Sequence, residues 1–199
     1  MPRLSTLPAT ALLALAATAG CSHSMDASEI KRNPHPKQAY AITVTVDGAP
    51  RPFDSIKVLM HSEIENRDCA PRDLLSGVHQ TPSADPEFTF RRTGESYTGT
   101  VYFDALLDGN YFWLGKCHWQ PNMLNVELRI GKQVYVASIS PADITGHRTV
   151  KTYFLKEQFG HAEAELEFEP SLPKTYENLV AEHPQQYFSI ELAAREHGA

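Results

Sequence analysis

The stretch Ala39–Gly48, AYAITVTVDG, decides the fold class because apolar and polar side chains alternate along it. The apolar members stand at every second position, at Tyr40, Ile42, Val44 and Val46. A period of two places one set on a buried face and the threonines on the opposite face, which is typical of a half-buried β-strand. Asp47-Gly48 follows as a turn signal, so we predict that a strand ends there.

The remainder of the chain repeats this pattern in short segments separated by turn signals. We predict further strands over 55–62, 87–92, 97–103, 110–119, 124–130, 133–140, 149–156 and 161–169. Three pairs are predicted hairpins: 87–92 with 97–103, 124–130 with 133–140 across Gly131-Lys132, and 149–156 with 161–169. Such a series predicts a mainly β protein, an antiparallel β-sandwich or a barrel, in a single domain over 39–199. One short C-terminal helix is predicted within 174–182, and 187–193 fits either a strand or a helix.

Two stretches carry a resemblance to a known class. Residues 42–60, ITVTVDGAPRPFDSIKVLM, resemble the opening of prealbumin-like domains, the class of transthyretin and of carboxypeptidase regulatory domains. Residues 103–119, FDALLDGNYFWLGKCHW, resemble the later step of the same class, where a loop leads into a strand at Leu107, Gly109 and Tyr111. The pair Cys117-x-Trp119 resembles small uncharacterised lipoproteins of Gram-negative bacteria. The resemblance implies a fold and no particular activity.

The first 21 residues, MPRLSTLPATALLALAATAGC, have the pattern of an export signal. A basic start at Arg3 precedes an apolar run that is shorter than the roughly 20 residues of a membrane span. Thr18-Ala19-Gly20-Cys21 resembles the lipobox of bacterial lipoproteins, although the family usually has Leu where Thr18 stands. The alternative is an ordinary secretory signal with a chance cysteine.

The lipobox resemblance implies that residues 1–20 are a removed signal peptide and that Cys21 is the lipidated N-terminus, bearing palmitate-type acyl chains. Ser22, rather than Asp, follows the cysteine, which in such lipoproteins implies the outer membrane, lipid-anchored on its periplasmic face. Residues 22–38, SHSMDASEIKRNPHPKQ, are polar, so 21–38 is predicted to be a lipidated, flexible tether of about 20–25 Å.

The charge balance restricts the partners. The chain has 18 basic and 24 acidic residues, and removal of 1–20 takes away only Arg3, so the mature net charge is 17 − 24 = −7. No basic patch of the kind that binds nucleic acid is visible. The predicted partners are the membrane, through the N-terminal lipid, and a periplasmic or envelope protein of basic character.

Cys69 and Cys117 are the two cysteines that remain after Cys21. An even count in an oxidising compartment favours a disulfide. A zinc site needs about four ligands at tight spacing, and a catalytic thiolate needs an electropositive pocket. Both remain alternatives to the disulfide at this point.

In the predicted strand 110–119, Trp113, Cys117 and Trp119 share one parity. They are therefore predicted to face the core and to pack around the disulfide. The alternative places the opposite set, Phe112, Leu114 and His118, on an exposed recognition surface.

The stretch 161–170, HAEAELEFEP, places carboxylates at every second position: Glu163, Glu165, Glu167 and Glu169. On a strand these lie about 7 Å apart on one face. A solvated edge is one interpretation. The functional interpretation is an acidic stripe that binds a basic partner. Paired glycosidase carboxylates are a third, although those stand on separate elements around a cleft.

The segment 66–87 is long for a loop between strands. Leu74 and Leu75 in this loop are apolar, so we expect them either to cover the core or to contact a partner. The loop is our first choice for a partner-binding site.

No catalytic motif is visible, since GxSxG, HExxH and P-loop patterns are absent and the nine histidines are not spaced as ligands. We therefore expect no cofactor, no metal and no catalytic residues. The sequence predicts a non-catalytic binding or envelope accessory protein. The alternatives are an immunity-type lipoprotein that neutralises a periplasm-targeted toxin, and a hydrolase with a His and acidic site.

Overall fold

The computed structural model describes residues 30–161, 167–169, 171–172 and 177–196. Within these residues the strands are β1 Ala39–Asp47, β2 Ser55–Ile64, β3 Ser83–Ala84, β4 Glu87–Phe88, β5 Phe90–Thr93, β6 Ser96–Tyr102, β7 Trp119–Ile130, β8 Gln133–Ile139, β9 Thr149–Leu155, β10 Glu167–Glu169 and β11 Tyr187–Glu196. The α-helices are α1 Pro141–Thr145 and α2 Glu177–Glu182, and short 3-10 turns cover Arg67–Cys69 and Pro184–Gln186.

The strands form two sheets that pack as a sandwich, so the predicted fold class is confirmed. One sheet has the order β5-β6-β1-β11-β9, and the other has the order β10-β8-β7-β2-β3, with β4 also beside β2. Neighbouring strands are antiparallel except for β10, which runs parallel to β8. The predicted C-terminal helix is found as α2, and the last segment is a strand rather than a helix.

Residues 39–47 form strand β1, as their alternation predicts, and this strand lies at the centre of the five-stranded sheet. It pairs with β6 on one side and β11 on the other. Ile42 and Val44 are buried between the sheets. The alternation therefore records a real inward face, and β1 positions both neighbours against the core.

Aromatic rings fill the centre of the sandwich around Tyr135. Its ring lies 5.2 Å from those of Phe154 and Phe188, in edge-to-face arrangements. The buried phenol donates a hydrogen bond to Gln133 Oε1 at 2.7 Å, and that oxygen also accepts from the Gly160 N–H at 2.6 Å. The polar atoms of this core are thereby satisfied, which burial requires.

Two predicted strand assignments are wrong, and a third is correct only in part, because 87–92 is divided into β4, which pairs with β2, and β5, which forms the predicted hairpin with β6 in the other sheet. Residues 110–118 are an irregular loop, with only an isolated bridge between Gly109 and Cys117, and β7 begins at Trp119. Trp113 and Gly115 have φ values of 61° and 122°, in the left-handed region, so side chains do not alternate across this segment.

The second wrong assignment is the hairpin between 149–156 and 161–169. Strand β9 lies at the edge of the five-stranded sheet beside β11, whereas β10 lies beside β8 in the other sheet. The turn at Phe159 and Gly160 therefore carries the chain from one sheet to the other.

The predicted tether ends earlier than residue 38. Asn33 N–H donates to the carbonyl of Ala105 at 2.8 Å, and Leu107 N–H donates to the carbonyl of Lys31 at 2.9 Å. The carboxylate of Asp104 accepts the N–H groups of residues 37 and 38 at 2.8 and 3.0 Å. The folded domain thus begins at about Lys31.

Neither helix in the described ranges has the length and apolar character of a membrane span.

Candidate binding surface at the disulfide

A disulfide joins two loops at one end of the sandwich. The Sγ atoms of Cys69 and Cys117 lie 1.99 Å apart, and their Cα atoms 5.3 Å apart. This confirms the predicted pairing. The bond connects residues 65–82, between β2 and β3, to residues 103–118, between β6 and β7. We call these two segments the disulfide loops.

A small second core supports the disulfide loops. Tyr111 and Phe112 are buried beside both cysteines, and Trp119 packs against them from the start of β7. The rings of Tyr111 and Trp119 meet edge to face at 6.1 Å, and Trp119 Nε1 donates to the Tyr111 hydroxyl at 3.1 Å. The hydroxyl in turn donates to the carbonyl of Leu107. Trp119 therefore packs beside the disulfide as predicted, whereas Trp113 does not and is 80% exposed.

Two polar side chains fix the backbone of the second loop. Asn66 Nδ2 donates to the carbonyl of Lys116 at 2.8 Å, and its Oδ1 accepts the His118 N–H at 2.8 Å. Asp108 accepts from the His118 ring at 2.7 Å and from the Trp119 N–H at 3.0 Å. Short carboxylate side chains commonly fix turns through such bonds to nearby N–H groups.

The electrostatics at Asp108 match this clamping role. Burial raises the pKa of its carboxyl, but hydrogen bonds from the Trp119 N–H and the His118 ring outweigh it, together with the charges of His118 and Lys116. The net result is a pKa below the ordinary value for aspartate. The side chain therefore stays ionised while it holds the loop.

The first loop presents an apolar tip on a hydrogen-bonded turn. The carboxylate of Asp73 accepts from the N–H of Leu75 at 3.0 Å and from that of Ser76 at 2.7 Å. These bonds, with one from the Ser76 hydroxyl, lower the pKa of Asp73. Leu74 and Leu75 at this tip are 99% and 100% exposed. Of the two roles open to these residues, contact with the core is therefore excluded.

Exposed apolar side chains concentrate on these two loops. Of the eight large hydrophobic side chains that are exposed in the described ranges, six belong to the disulfide loops: Leu74, Leu75, Val78, Leu107, Trp113 and Leu114. Single exposed leucines are ordinary on protein surfaces, but a concentration at one end indicates a contact surface. The sequence predicted a contact surface at the first loop. It did not predict the exposure of Trp113, because a regular strand over 110–119 would have buried that side chain.

An open cavity of about 450 Å³ lies beside the second loop. Its lining includes Asn33 from the N-terminal segment, Leu107, Asp108 and Lys116 from the loop, and Trp119. The entry of the chain into the domain and the second disulfide loop therefore lie side by side.

The structure also places the imidazole ring of His61 between the carboxylates of Asp85 and Glu63, an arrangement that the sequence did not indicate. His61 Nδ1 lies 2.8 Å from Asp85 Oδ1, and Nε2 lies 3.2 Å from Glu63 Oε1. The hydrogen bond with Asp85 is the largest cause of a raised pKa for His61; burial opposes it and Glu63 adds to it. Asp85 reaches this position because the strands on either side of it, β3 and β4, both pair with β2.

The other predicted site residues are placed less favourably or fall outside the description. Cys21, Glu163 and Glu165 lie outside the described residues. Glu167 and Glu169 belong to β10, and Phe168 between them is 60% exposed, so the apolar side of the predicted stripe is not buried there. Within the described ranges, no three His, Cys, Asp or Glu side chains are arranged to hold a metal ion.

Comparisons of this chain with protein-family models, with curated proteins and with solved structures give no match.

Proposed function

We propose that this chain is an outer-membrane-anchored periplasmic lipoprotein that acts without catalysis, as a binding or envelope accessory protein. Its binding surface is the pair of disulfide loops. The observation that carries this proposal is the concentration of exposed apolar side chains, led by Leu75 and Trp113, on two loops that a buried disulfide holds together.

The backbone of these loops is fixed by hydrogen bonds, and this rigidity supports a role in binding. A surface that is fixed before contact loses less conformational entropy on association than a mobile one. Asn66, Asp73 and Asp108 fix the backbone that carries the apolar tips. The backbone of both loops is therefore held in place, while the apolar side chains that the loops carry, such as Leu75 and Trp113, remain exposed.

The disulfide and the N-terminal pattern support the location independently of each other. Structural disulfides persist in oxidising compartments such as the bacterial periplasm. The lipobox-like Thr18-Ala19-Gly20-Cys21 provides the export route and the anchor. Acylation at Cys21 would hold the domain at a membrane permanently, since each buried methylene group adds roughly 0.8 kcal/mol.

The anchor is tested by mass spectrometry of the mature protein and by labelling with a palmitate analogue in a Gram-negative host. We expect acyl chains on Cys21 and loss of label in Cys21→Ser. An unmodified N-terminus that begins elsewhere would refute the location.

The binding surface is tested by placing a photo-crosslinking amino acid at position 75 or 113 in cells. Position 132 is the matched control, because β7 separates Lys132 from the disulfide loops by about 36 Å along the strand. We expect adducts from 75 and 113, to protein or to lipid, and none from 132. Equal yields from all three positions would remove the disulfide loops as the binding surface.

A further inference from the structure

We propose that the partner of the disulfide loops is the lipid surface itself. In this arrangement the tips at Leu74-Leu75 and Trp113-Leu114 insert into the interface of the membrane that holds the N-terminal lipid. The inference rests on the proposed function, because it takes Cys21 as the anchor. It names the partner of the same surface.

The position at which the chain enters the domain is the first reason. Lys31 and Asn33 are hydrogen-bonded to Leu107 and Ala105, within the second disulfide loop. Between Cys21 and Lys31 the chain advances by 31 − 21 = 10 residues. Ten residues span at most about 36 Å even when fully extended. The lipid anchor therefore keeps Lys31, and with it the disulfide end, within about 36 Å of the bilayer.

The positions of the apolar tips are the second reason. Leu74 lies five residues from Cys69, and Trp113 lies four residues from Cys117, so the disulfide holds both tips to the same end. Trp113 is a residue type that favours the membrane–water interface, because its ring is apolar and its N–H is polar. Leucines beside it supply the buried area.

The charge of this end is the third reason. The N-terminal segment 31–38 and the two disulfide loops carry six Lys and Arg residues and five Asp and Glu residues, a sum of +1. The mature chain has a net charge of 17 − 24 = −7. The rest of the mature protein therefore carries −7 − 1 = −8 and is repelled by anionic lipid, whereas the disulfide end is not. Charge and anchor favour the same orientation.

The test uses the lipidated full-length mature protein in vesicles of phosphatidylethanolamine and phosphatidylglycerol. The chain has two tryptophans, so Trp119→Phe leaves Trp113 as the only tryptophan, which can be excited selectively at wavelengths that tyrosine does not absorb. We expect blue-shifted emission that bromine on the acyl chains quenches and aqueous iodide does not. In Trp113→Phe, the matched control, Trp119 reports from beside the disulfide and acyl-chain bromine leaves its emission unchanged. Emission from Trp113 that iodide quenches and bromine spares would overturn the inference.

A second measurement needs no substitution and covers the case in which Trp119→Phe fails to fold. Amide hydrogen exchange of the wild-type lipidated protein is compared in vesicles and in an amphipathic polymer that covers the acyl chains without a bilayer. We expect slower exchange over 72–78 and 111–116 in vesicles, and unchanged exchange around Lys132. Equal exchange at the tips in both environments would contradict the inference.

A third measurement separates this inference from the anchor. Chain starting at Ser22, without the lipid, is titrated with the same vesicles. We expect weak binding that Leu75→Ser and Leu114→Ser each reduce by about tenfold, the loss expected for one leucine side chain returned to water. Absence of acylation on Cys21 would refute the proposed function while this binding persists. Crosslinks from position 113 to a protein, with no quenching by bromine, would refute the lipid inference and leave the proposed function standing.

Discussion

Removal of the disulfide is the sharpest test of how the binding surface is built. The double substitution Cys69→Ala and Cys117→Ala opens a loop of 48 residues. In the chain-entropy description, closing a loop of that length removes about 14 cal/mol/K from the unfolded chain, which is about 4 kcal/mol at 25 °C. Both cysteines are buried, so the loss of two Sγ atoms from the second core adds to this figure.

The magnitude is measured by urea unfolding of the mature protein, followed by circular dichroism. With a slope of about 2 kcal/mol per molar urea, we expect the midpoint to fall by about 2 M. The far-ultraviolet spectrum of the folded state should be retained, because the bond joins two loops and crosses neither sheet.

Amide exchange then locates the effect. We expect exchange to increase over the disulfide loops and to stay slow in β1 and β11, which form the centre of the five-stranded sheet. Wild-type protein treated with reductant in mild urea is the matched control. It loses the same loop closure but keeps both Sγ atoms, so its midpoint should fall by slightly less than that of the double variant. A midpoint for the double variant within 0.5 M of that of the oxidised wild type corresponds to a loss of only about 1 kcal/mol in the free energy of unfolding. That result would show that hydrogen bonds alone hold the loops.

Three further substitutions probe other contacts. Asp85→Asn should lower the pKa of His61 toward its ordinary value, as measured by NMR titration, and an unchanged titration would refute the pairing. Because Asp85 raises the pKa of His61, the pair stabilises the folded protein below about pH 6.5, and this stabilisation is lost as the pH rises through the raised pKa. Asp108→Asn should destabilise the protein by about 1–2 kcal/mol in urea at neutral pH. Because the pKa of Asp108 is lowered, this difference from wild type should shrink as the pH falls below about 4, and a pH-independent difference would argue against the charge. Gly99→Ala would place a Cβ 2.5 Å from the Phe90 ring, so we expect a loss of about 1–3 kcal/mol, and a neutral result would mean that the ring moves aside freely.

The alternation in Ala39–Gly48 was enough to predict a strand with Ile42 and Val44 inward, because a period of two is a local property of the chain. The same holds for the hairpin at Gly131-Lys132, whose turn residues connect β7 and β8. The pairing of Cys69 with Cys117 also followed from the sequence, since only two cysteines remain beyond Cys21. These features depend on neighbours along the chain or on a count.

Long-range contacts decided the rest. Residues 110–118 contain the aromatic residues of a strand, yet they form an irregular loop. Asn66 binds their backbone at Lys116 and His118, and Asp108 holds the His118 ring. That loop exposes Trp113, which the alternation would have buried. Lys31 and Asn33 were predicted to be part of the tether because their hydrogen-bond partners lie more than 70 residues away in the sequence: the Lys31 carbonyl accepts from the Leu107 N–H, and Asn33 donates to the carbonyls of Ala105 and Asp104. The contact of His61 with Asp85 likewise depends on the pairing of β2 with β3 and β4. Local patterns predicted most of the strands, whereas packing between distant segments decided the exceptions and determined which side chains reach the surface together.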